Sequence, residues 1–285
     1  MREQTIWMQK DYYPNKYVYP KRKRLHKGLV CLKSSIVISS DGVEFWYFYL
    51  RLLLRGLLLH KTSVMIGEEI LAFYRALAEN NYREWFHANK EWYERIKKLQ
   101  VELVSSLIKE LQKVDPLLGA LTPSDCIFRI NRDIRFSNNK DPYKSHAGLF
   151  FTRGGKKSPF GGYYLHLEPG KSFIGGGVYG PSPENLKALR QEIFYNWGDF
   201  EKIVNNKKFM KFYPELMDMG DSLSRPPKGY SPDFKGIEVL KKKHFVTGLS
   251  LSDSEIASAD LVALAIEPFT ALVPFIHFLN QAIEG

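Results

Sequence analysis

Cationic residues are concentrated between Phe128 and Lys144, where the chain reads FRINRDIRFSNNKDPYK. The cations are Arg129, Arg132, Arg135, Lys140 and Lys144. An alternating strand pattern followed by a turn closed by proline would hold these side chains as a rigid array of donors. Such arrays bind phosphate, carboxylate or sulfate groups. The segment therefore predicts a pocket for an anion, but it does not name a reaction.

Arg132 does not fit the alternation of the predicted strand. The apolar residues of that strand share one face, and they are Phe128, Ile130, Ile134 and Phe136. Arg132 falls on the same side, where an unpaired cation would cost several kcal/mol. It must therefore meet a carboxylate, a bound anion, or a bulge that turns it outward. In a purely structural role its partner would be Glu84 or Glu168.

Two further residues belong to the predicted pocket. Pro142 fixes the direction of Tyr143, which places this side chain beside Lys144. Arg190 is a candidate addition from the helix that begins near Ser182. A solvated loop is the alternative for the turn, and internal pairing with Glu84, Asp133 or Glu168 is the alternative for the arginines.

Three residues could take part in proton transfer. His146 follows the cationic turn, and His166 shares one side of a predicted strand with Glu168. Each histidine could equally be structural. The spacing of His, Cys and Asp indicates no metal site, and there is no nucleophile elbow. The sequence therefore predicts neither metal nor cofactor and leaves open whether the protein is an enzyme.

The three glycines Gly175–Gly177 end a predicted strand ahead of the helix that begins at Ser182. A ligand could approach their bare backbone beside the helix N-terminus. Their spacing matches neither a P-loop nor a dinucleotide fingerprint. Close packing of a strand against a helix is the other interpretation.

The charge of the chain is distributed unevenly. Its 285 residues carry a formal charge of +10, but residues 1–64 hold 12 Lys and Arg against 4 Asp and Glu, whereas residues 65–285 hold 29 against 27. Binding of nucleic acid by the whole chain is therefore weakly supported. The two cysteines, Cys31 and Cys126, have no metal-type spacing and fit a reducing cytoplasm. The apolar run 43–59 contains charges and is shorter than a spanning helix requires.

The hydrophobic pattern predicts an α+β fold with a mainly antiparallel sheet. Helices are expected at 66–78, 82–113, 182–195, 199–212, 233–241 and 253–283, with Asp115 and Pro116 ending the second. Strands are expected at 126–136, 146–152, 162–168, 172–179 and 244–251. The prolines of the last helix, Pro268 and Pro274, should bend it, and its apolar face should be core or a dimer contact. No membrane association is expected for residues 65–285.

Residues 1–64 show no consistent hydrophobic period, so we interpret them as a basic extension. Residues 65–285 are expected to form a single α+β domain. We expect Met65 to be the natural start, with a basic leader that touches a membrane as the alternative. Residues before Met65 in the natively expressed protein, found by N-terminal sequencing, would contradict the first interpretation.

The chain from about Ile66 onward resembles a family catalogued as domain of unknown function 2461. The similarity is carried by the stretches NNYREWF (80–86), FRINRDIRFS (128–137) with Lys140 and PYK (142–144), YLHLEP (164–169) and GGG (175–177). Asn139 stands where the family commonly has an acidic residue. Residues 1–64 have no counterpart. The resemblance implies a cytosolic α+β domain, and it implies no established activity or cofactor.

Three functions agree with these observations. The first is recognition of a phosphorylated small molecule or a nucleic-acid phosphate, in which His146 or His166 would move protons and the cations would stabilise negative charge in any reaction. The second is a non-catalytic domain that binds an acidic protein or nucleic acid. The third is a structural arginine cluster.

Overall fold

Four strands form an antiparallel sheet in the computed structural model, which describes residues 66–135 and 137–285. The strands are β1 (Ala147–Phe151), β2 (Gly162–Leu167), β3 (Phe173–Val178) and β4 (Phe245–Ser250). Their order across the sheet is the order of the chain. Helices flank the sheet, so the protein has the α+β fold that its sequence predicts. The predictions for residues 1–65 and for Phe136 lie outside the described residues.

Helices precede, separate and follow the strands. Before the sheet lie α1 (66–79), α2 (Arg83–Ala88), α3 (Lys90–Val114), a 3-10 turn (Pro116–Leu118) and α4 (Pro123–Cys126). Between β3 and β4 lie α5 (Pro183–Tyr195), α6 (Trp197–Val204), α7 (Lys207–Met210) and α8 (Ile237–Lys241). After β4 come α9 (Asp253–Ser258) and α10 (Leu261–Glu284). The predicted cap of α5 is confirmed, because the Ser182 hydroxyl accepts a hydrogen bond from Asn185 N at 3.2 Å.

The predicted amphipathic helix near 82–113 is formed mainly as α3, and an interruption at Asn89 separates α3 from the short helix α2. The backbone of Asn89 leaves helical geometry (φ −107°, ψ 21°), and its side-chain amide donates to Trp85 O at 2.9 Å. A short amide side chain competes in this way with backbone hydrogen bonding. The predicted apolar stripe of α3 is still buried at Ile96, Leu103, Leu107, Ile108 and Leu111.

Two other predicted helices each consist of two helices. Residues 199–212 contain part of α6 and then α7, which is capped by the Asn206 side chain. Residues 253–283 contain α9 and α10, and the Asp260 side chain caps α10. Asn and Asp favour new helix starts because their oxygens accept hydrogen bonds from the first backbone N–H groups. The helix predicted at 233–241 is the shorter α8.

The predicted strand at 126–136 is not formed over its described residues, 126–135. These residues contribute two isolated bridges, from Ile127 to Leu149 and from Asn131 to Tyr143. Both bridges are antiparallel and join the segment to the stretch 143–149. Ile127 and Asn131 are four residues apart, whereas their partners Leu149 and Tyr143 are six residues apart, so the pairing shifts by two residues between the bridges. Because of this shift, a continuous ladder does not form. Alternation of side chains predicts an extended backbone, and it does not reveal this shift of register.

The two faces of the sheet have different surroundings. On β2, successive side chains alternate, so Tyr163, Leu165 and Leu167 point to the side on which Tyr163 packs edge-to-face against the α10 residue Phe269. Tyr164 and His166 point to the opposite side. The histidine that the sequence identifies therefore lies on the face away from α10.

Helix α10 packs tightly on β3. A Cβ atom added at Gly176 would lie 3.0 Å from Leu272 Cδ1 and would also overlap Gly162 O. This contact supports the close-packing interpretation of Gly175–Gly177. Among the described residues, α10 is the helix long and apolar enough to cross a membrane, with a mean hydropathy of 1.8 over its most apolar window. Its packing against β3, α3 and α5 accounts for this composition.

Candidate functional site

Asn81, in the connection between α1 and α2, holds the end of the cationic segment in place. Its side-chain amide donates to Tyr143 O at 2.9 Å, and its oxygen accepts from Tyr143 N at 3.1 Å. The Tyr143 ring is buried and stacks on Phe86 with 4.1 Å between ring centres. Tyr143, which the sequence places in the pocket, is therefore an anchor for its neighbour Lys144.

We expect Asn81→Ala to destabilise the protein by about 2–4 kcal/mol, because two backbone groups of buried Tyr143 lose their partner. Urea denaturation would measure the loss, and hydrogen exchange at the Tyr143 amide should accelerate. Asn80→Ala is the matched control, since the Asn80 side chain donates to Ala76 O of the preceding helix α1 and not to the cationic segment. Equal losses in the two variants would contradict the proposed anchoring.

The Arg132 side chain is only 6% exposed, in agreement with its predicted place on the apolar side. It donates to Asp141 O and to Ser137 Oγ, both at 3.4 Å, and its Nη1 lies 3.9 Å from Asp141 Oδ2. These distances are long for hydrogen bonds and for an ion pair. The nearby carboxylate is thus that of Asp141 rather than the predicted Glu84 or Glu168.

Arg135 and Lys140 bind within their own turn. Arg135 Nε and Nη2 donate to the two carboxylate oxygens of Asp133 at 2.8 and 2.6 Å. These hydrogen bonds lower the pKa of Asp133 to about 2. Lys140 Nζ donates to Ile134 O at 3.1 Å. For Arg135 this geometry agrees with the structural alternative, in which Asp133 neutralises it.

Lys144 is the most deeply placed lysine of the segment, with 7% of its surface exposed. Its Nζ donates to Arg129 O at 2.7 Å and lies 5.9 Å from the centre of the Phe128 ring. Burial, together with the positive charges of Arg129 and Arg132, lowers the pKa of Lys144 to about 8. Within 66–135 and 137–285, no carboxylate forms an ion pair with Lys144.

The structure brings together the three residues that the sequence identifies as proton carriers. His166 Nε2 lies 2.9 Å from Glu168 Oε2, and the rings of His146 and His166 are 4.4 Å apart. His166 Nδ1 lies 3.1 Å from the Tyr164 hydroxyl. Ser145 Oγ donates to the other oxygen of Glu168 at 3.2 Å. These residues form a polar network on the face of the sheet away from α10.

Burial and neighbouring cations determine which groups of this network carry a charge. The pKa of His146 lies well below its usual value, first because the ring is buried and then because of its neighbour His166 and the positive charges of Lys144 and Arg132. Burial alone would raise the pKa of Glu168, but the hydrogen bond with His166 and the charge of Lys171 lower it. The carboxylate of Glu168 is therefore ionised at neutral pH, whereas His146 is neutral.

Arg190 lies at a different corner of the sheet. Its Nε donates to Leu240 O at 2.8 Å and its Nη2 to Lys242 O at 3.2 Å, just before β4. The start of β4 adjoins the end of β3, whereas His166 adjoins the start of β3. The structure consequently does not bring Arg190 to the cations of residues 129–144.

A second polar cluster, which the sequence analysis missed, lies on the side of α10. Buried Asp115 accepts hydrogen bonds from the Tyr163 hydroxyl at 2.7 Å and from Leu117 N at 3.1 Å, and His277 Nε2 lies 2.8 Å from its Oδ1. The cluster borders a cavity of about 250 Å³. Its members are distant in the sequence, where Asp115 was interpreted only as a helix stop. No local spacing could therefore have joined them.

Comparison with known proteins identifies one family. A family model described as "Conserved hypothetical protein (DUF2461)" matches residues 69–278. No curated protein and no solved structure matches the chain. The matched range includes the four strands β1–β4 and the residues of the polar network, from Ser145 to Glu168.

Proposed function

We propose that this chain, which belongs to the DUF2461 family of conserved hypothetical proteins, binds a phosphate-type anion beside Lys144. The ligand would be a phosphorylated small molecule, with its phosphate group held by Lys144, Arg132 and Arg129. The protein would bind this ligand, and we propose no reaction on it.

The burial of Lys144 without a carboxylate carries this proposal. The side chain is almost inaccessible, and the charged groups that act on its ammonium are two arginines. An ammonium taken out of water costs several kcal/mol unless an opposite charge and hydrogen bonds compensate it. A single hydrogen bond to Arg129 O compensates in part. An anion from solution would supply the missing charge.

Two arginines whose charges act on Lys144 would complete such a site. The Arg132 side chain is buried and its charge acts on Lys144, so a charge-assisted bond from its guanidinium to a phosphate oxygen would be favourable. Arg129 is an exposed residue whose carbonyl group already holds Lys144. Guanidinium groups bind phosphate with paired donors, which adds specificity to the attraction.

The three residues of the proposed site differ in their exposure. Lys144 is 7% exposed and the Arg132 side chain 6%, whereas Arg129 is an exposed residue. We therefore infer that the anion binds at the surface, in contact with Arg129, and that Lys144 lies behind it. The rest of the ligand would remain outside the protein.

We expect inorganic phosphate or pyrophosphate to stabilise the full chain, in EDTA and at constant ionic strength. Saturable binding would raise the free energy of unfolding by about 2.7 kcal/mol at a hundredfold excess over Kd. Lys144→Met should abolish this stabilisation and leave the stability without ligand within about 1 kcal/mol, because the lost hydrogen bond and the removed buried charge offset each other. Thermal unfolding and calorimetric titration would measure both effects.

Lys140→Met is the matched control, since it makes the same change at an exposed lysine of the same segment. It should retain the response to phosphate. A response retained by Lys144→Met would overturn the proposal, and so would a wild-type chain that phosphate does not stabilise. Salt-dependent binding of an oligonucleotide without any effect of phosphate would favour the nucleic-acid alternative.

A further inference from the structure

We propose that His146, His166 and Glu168 form a binding site for a divalent transition metal ion. Each residue offers one ligand atom, and the three atoms lie within 4.8 Å of one another. Two imidazoles and a carboxylate bind Zn²⁺ and Fe²⁺, and three protein ligands leave positions open for water or an exogenous anion. The sequence did not reveal this set because its histidines lie on different sides of a long hairpin connection.

The distance between His166 and Glu168 suits a shared metal ion. Two bonds of about 2.1 Å that meet at an angle of 90–109° place their donor atoms about 3.0–3.4 Å apart. His166 Nε2 and Glu168 Oε2 are 2.9 Å apart. A metal could therefore replace the hydrogen between them with a small separation of the two side chains. The adjacent His146 ring would then turn to complete the set.

Neighbouring residues fix the orientation of two of these ligands, as the outer partners of metal ligands usually do. The Tyr164 hydroxyl lies at Nδ1 of His166, which leaves Nε2 directed toward Glu168. The Phe173 ring stacks on His166 with 5.0 Å between ring centres. Ser145 binds the carboxylate oxygen of Glu168 that does not face His166.

The position of His166 in the sheet leaves space next to its ring. Gly148 of β1 is its direct partner across the strand pair, so no side chain stands opposite the imidazole on that strand. A side chain at this position would share the face of His166, because directly opposite residues point the same way. The space allows His146, which precedes β1, to lie beside the ring.

Cations around the network oppose a bare metal ion and favour one that carries an anion. Lys171 Nζ lies 3.7 Å from Glu168 Oε1, and Lys144 and Arg132 act on His146. A hydroxide, phosphate or carboxylate in the open positions of the metal would reduce this repulsion. The metal ligands differ from the residues proposed to hold phosphate, so either proposal can fail without the other.

The test is a titration of the full chain, stripped with EDTA and dialysed, with Zn²⁺ and with Co²⁺. We expect one ion to bind per chain with the highest affinity, and the visible absorption of Co²⁺ should show nitrogen and oxygen ligands in a site of low coordination number. His166→Gln and Glu168→Gln should each weaken binding by at least about 10–100-fold. His146→Gln, at a partly buried position, gives a third variant if one of these fails to fold.

His244→Gln is the matched control. His244 also faces a carboxylate, that of Asp221 at 3.1 Å, but no second histidine joins this pair in the described part of the chain. The His244→Gln variant should bind the metal ion with the same affinity as the wild-type chain. Equal affinity in wild type and in the His166 and His146 variants would overturn the proposal. Phosphate binding in EDTA by a chain that binds no metal would likewise overturn it, and would leave the anion site intact.

Discussion

Gly177→Ala is expected to destabilise the fold by roughly 2–5 kcal/mol, because two costs act at the same position. The backbone of Gly177 has φ of +120°, a conformation that residues with a Cβ rarely adopt. The new methyl group would also overlap Phe245 O on β4 and lie 3.1 Å from the Phe275 ring on α10. Strand β3 cannot move away from one of these neighbours without approaching the other. Chemical denaturation would measure the loss.

Gly170→Ala separates the two costs. Gly170, in the turn between β2 and β3, also has a positive φ (+73°), but no atom lies within 4 Å of its added Cβ. We expect this variant to lose only about 1–2 kcal/mol, the cost of the backbone conformation. If Gly177→Ala lost no more stability than Gly170→Ala, the close contact of β3 with α10 and β4 would not be what makes a side chain at position 177 destabilising.

Asp115→Ala is expected to cost roughly 3–5 kcal/mol, because one buried carboxylate serves three partners. Its removal leaves the hydroxyl of Tyr163 and the amide of Leu117 without an acceptor and His277 without its carboxylate. The Tyr163 hydroxyl, on a fully buried residue, costs about 1–3 kcal/mol without a partner, and the more exposed groups of Leu117 and His277 add smaller losses. Urea denaturation would measure the total loss of stability.

A double-mutant cycle with Tyr163→Phe would identify the part of this stability loss that is due to the hydrogen bond between Asp115 and Tyr163. We expect the double variant to lose about 1–3 kcal/mol less than the sum of the single losses, since the hydrogen bond can be lost only once. Asp218→Ala is the control at an exposed position, where the carboxylate accepts from Gly220 N and Ser222 Oγ. Its cost should stay below about 1 kcal/mol. Additive losses in the cycle would show that Asp115 and Tyr163 act independently.

The sequence predicts the elements whose pattern is local. The strands at 162–168 and 172–179 and the turn between them are formed, because alternation and a Pro-Gly turn require only neighbouring residues. Helix breaks at Asn89 and Asp260 were not predicted. Both depend on whether a short polar side chain turns back onto the backbone, which the hydrophobic period does not show.

The candidate site was predicted only in part, because only some of its contacts are local in the sequence. The buried side chain of Arg132 follows from strand alternation, although the strand itself is absent. The pairing of Arg135 with Asp133 is local and was weighed as an alternative. In contrast, the approach of His146 to His166 depends on the register of β1 and β2 across a long connection. That register could not be read from the spacing of the two histidines.

The irregular segment 126–135 affects how copies of this protein can associate with one another. In the described residues β1 and β4 are the outermost strands, and open strands of this kind can recruit further chains into aggregates. Phe128 N donates to Gly148 O on β1, and Met217 N donates to Val246 O on β4. Both margins are thus partly occupied by loops from the same molecule. Growth of the sheet by an incoming chain would first have to displace them, which protects the folded protein against intermolecular β-pairing.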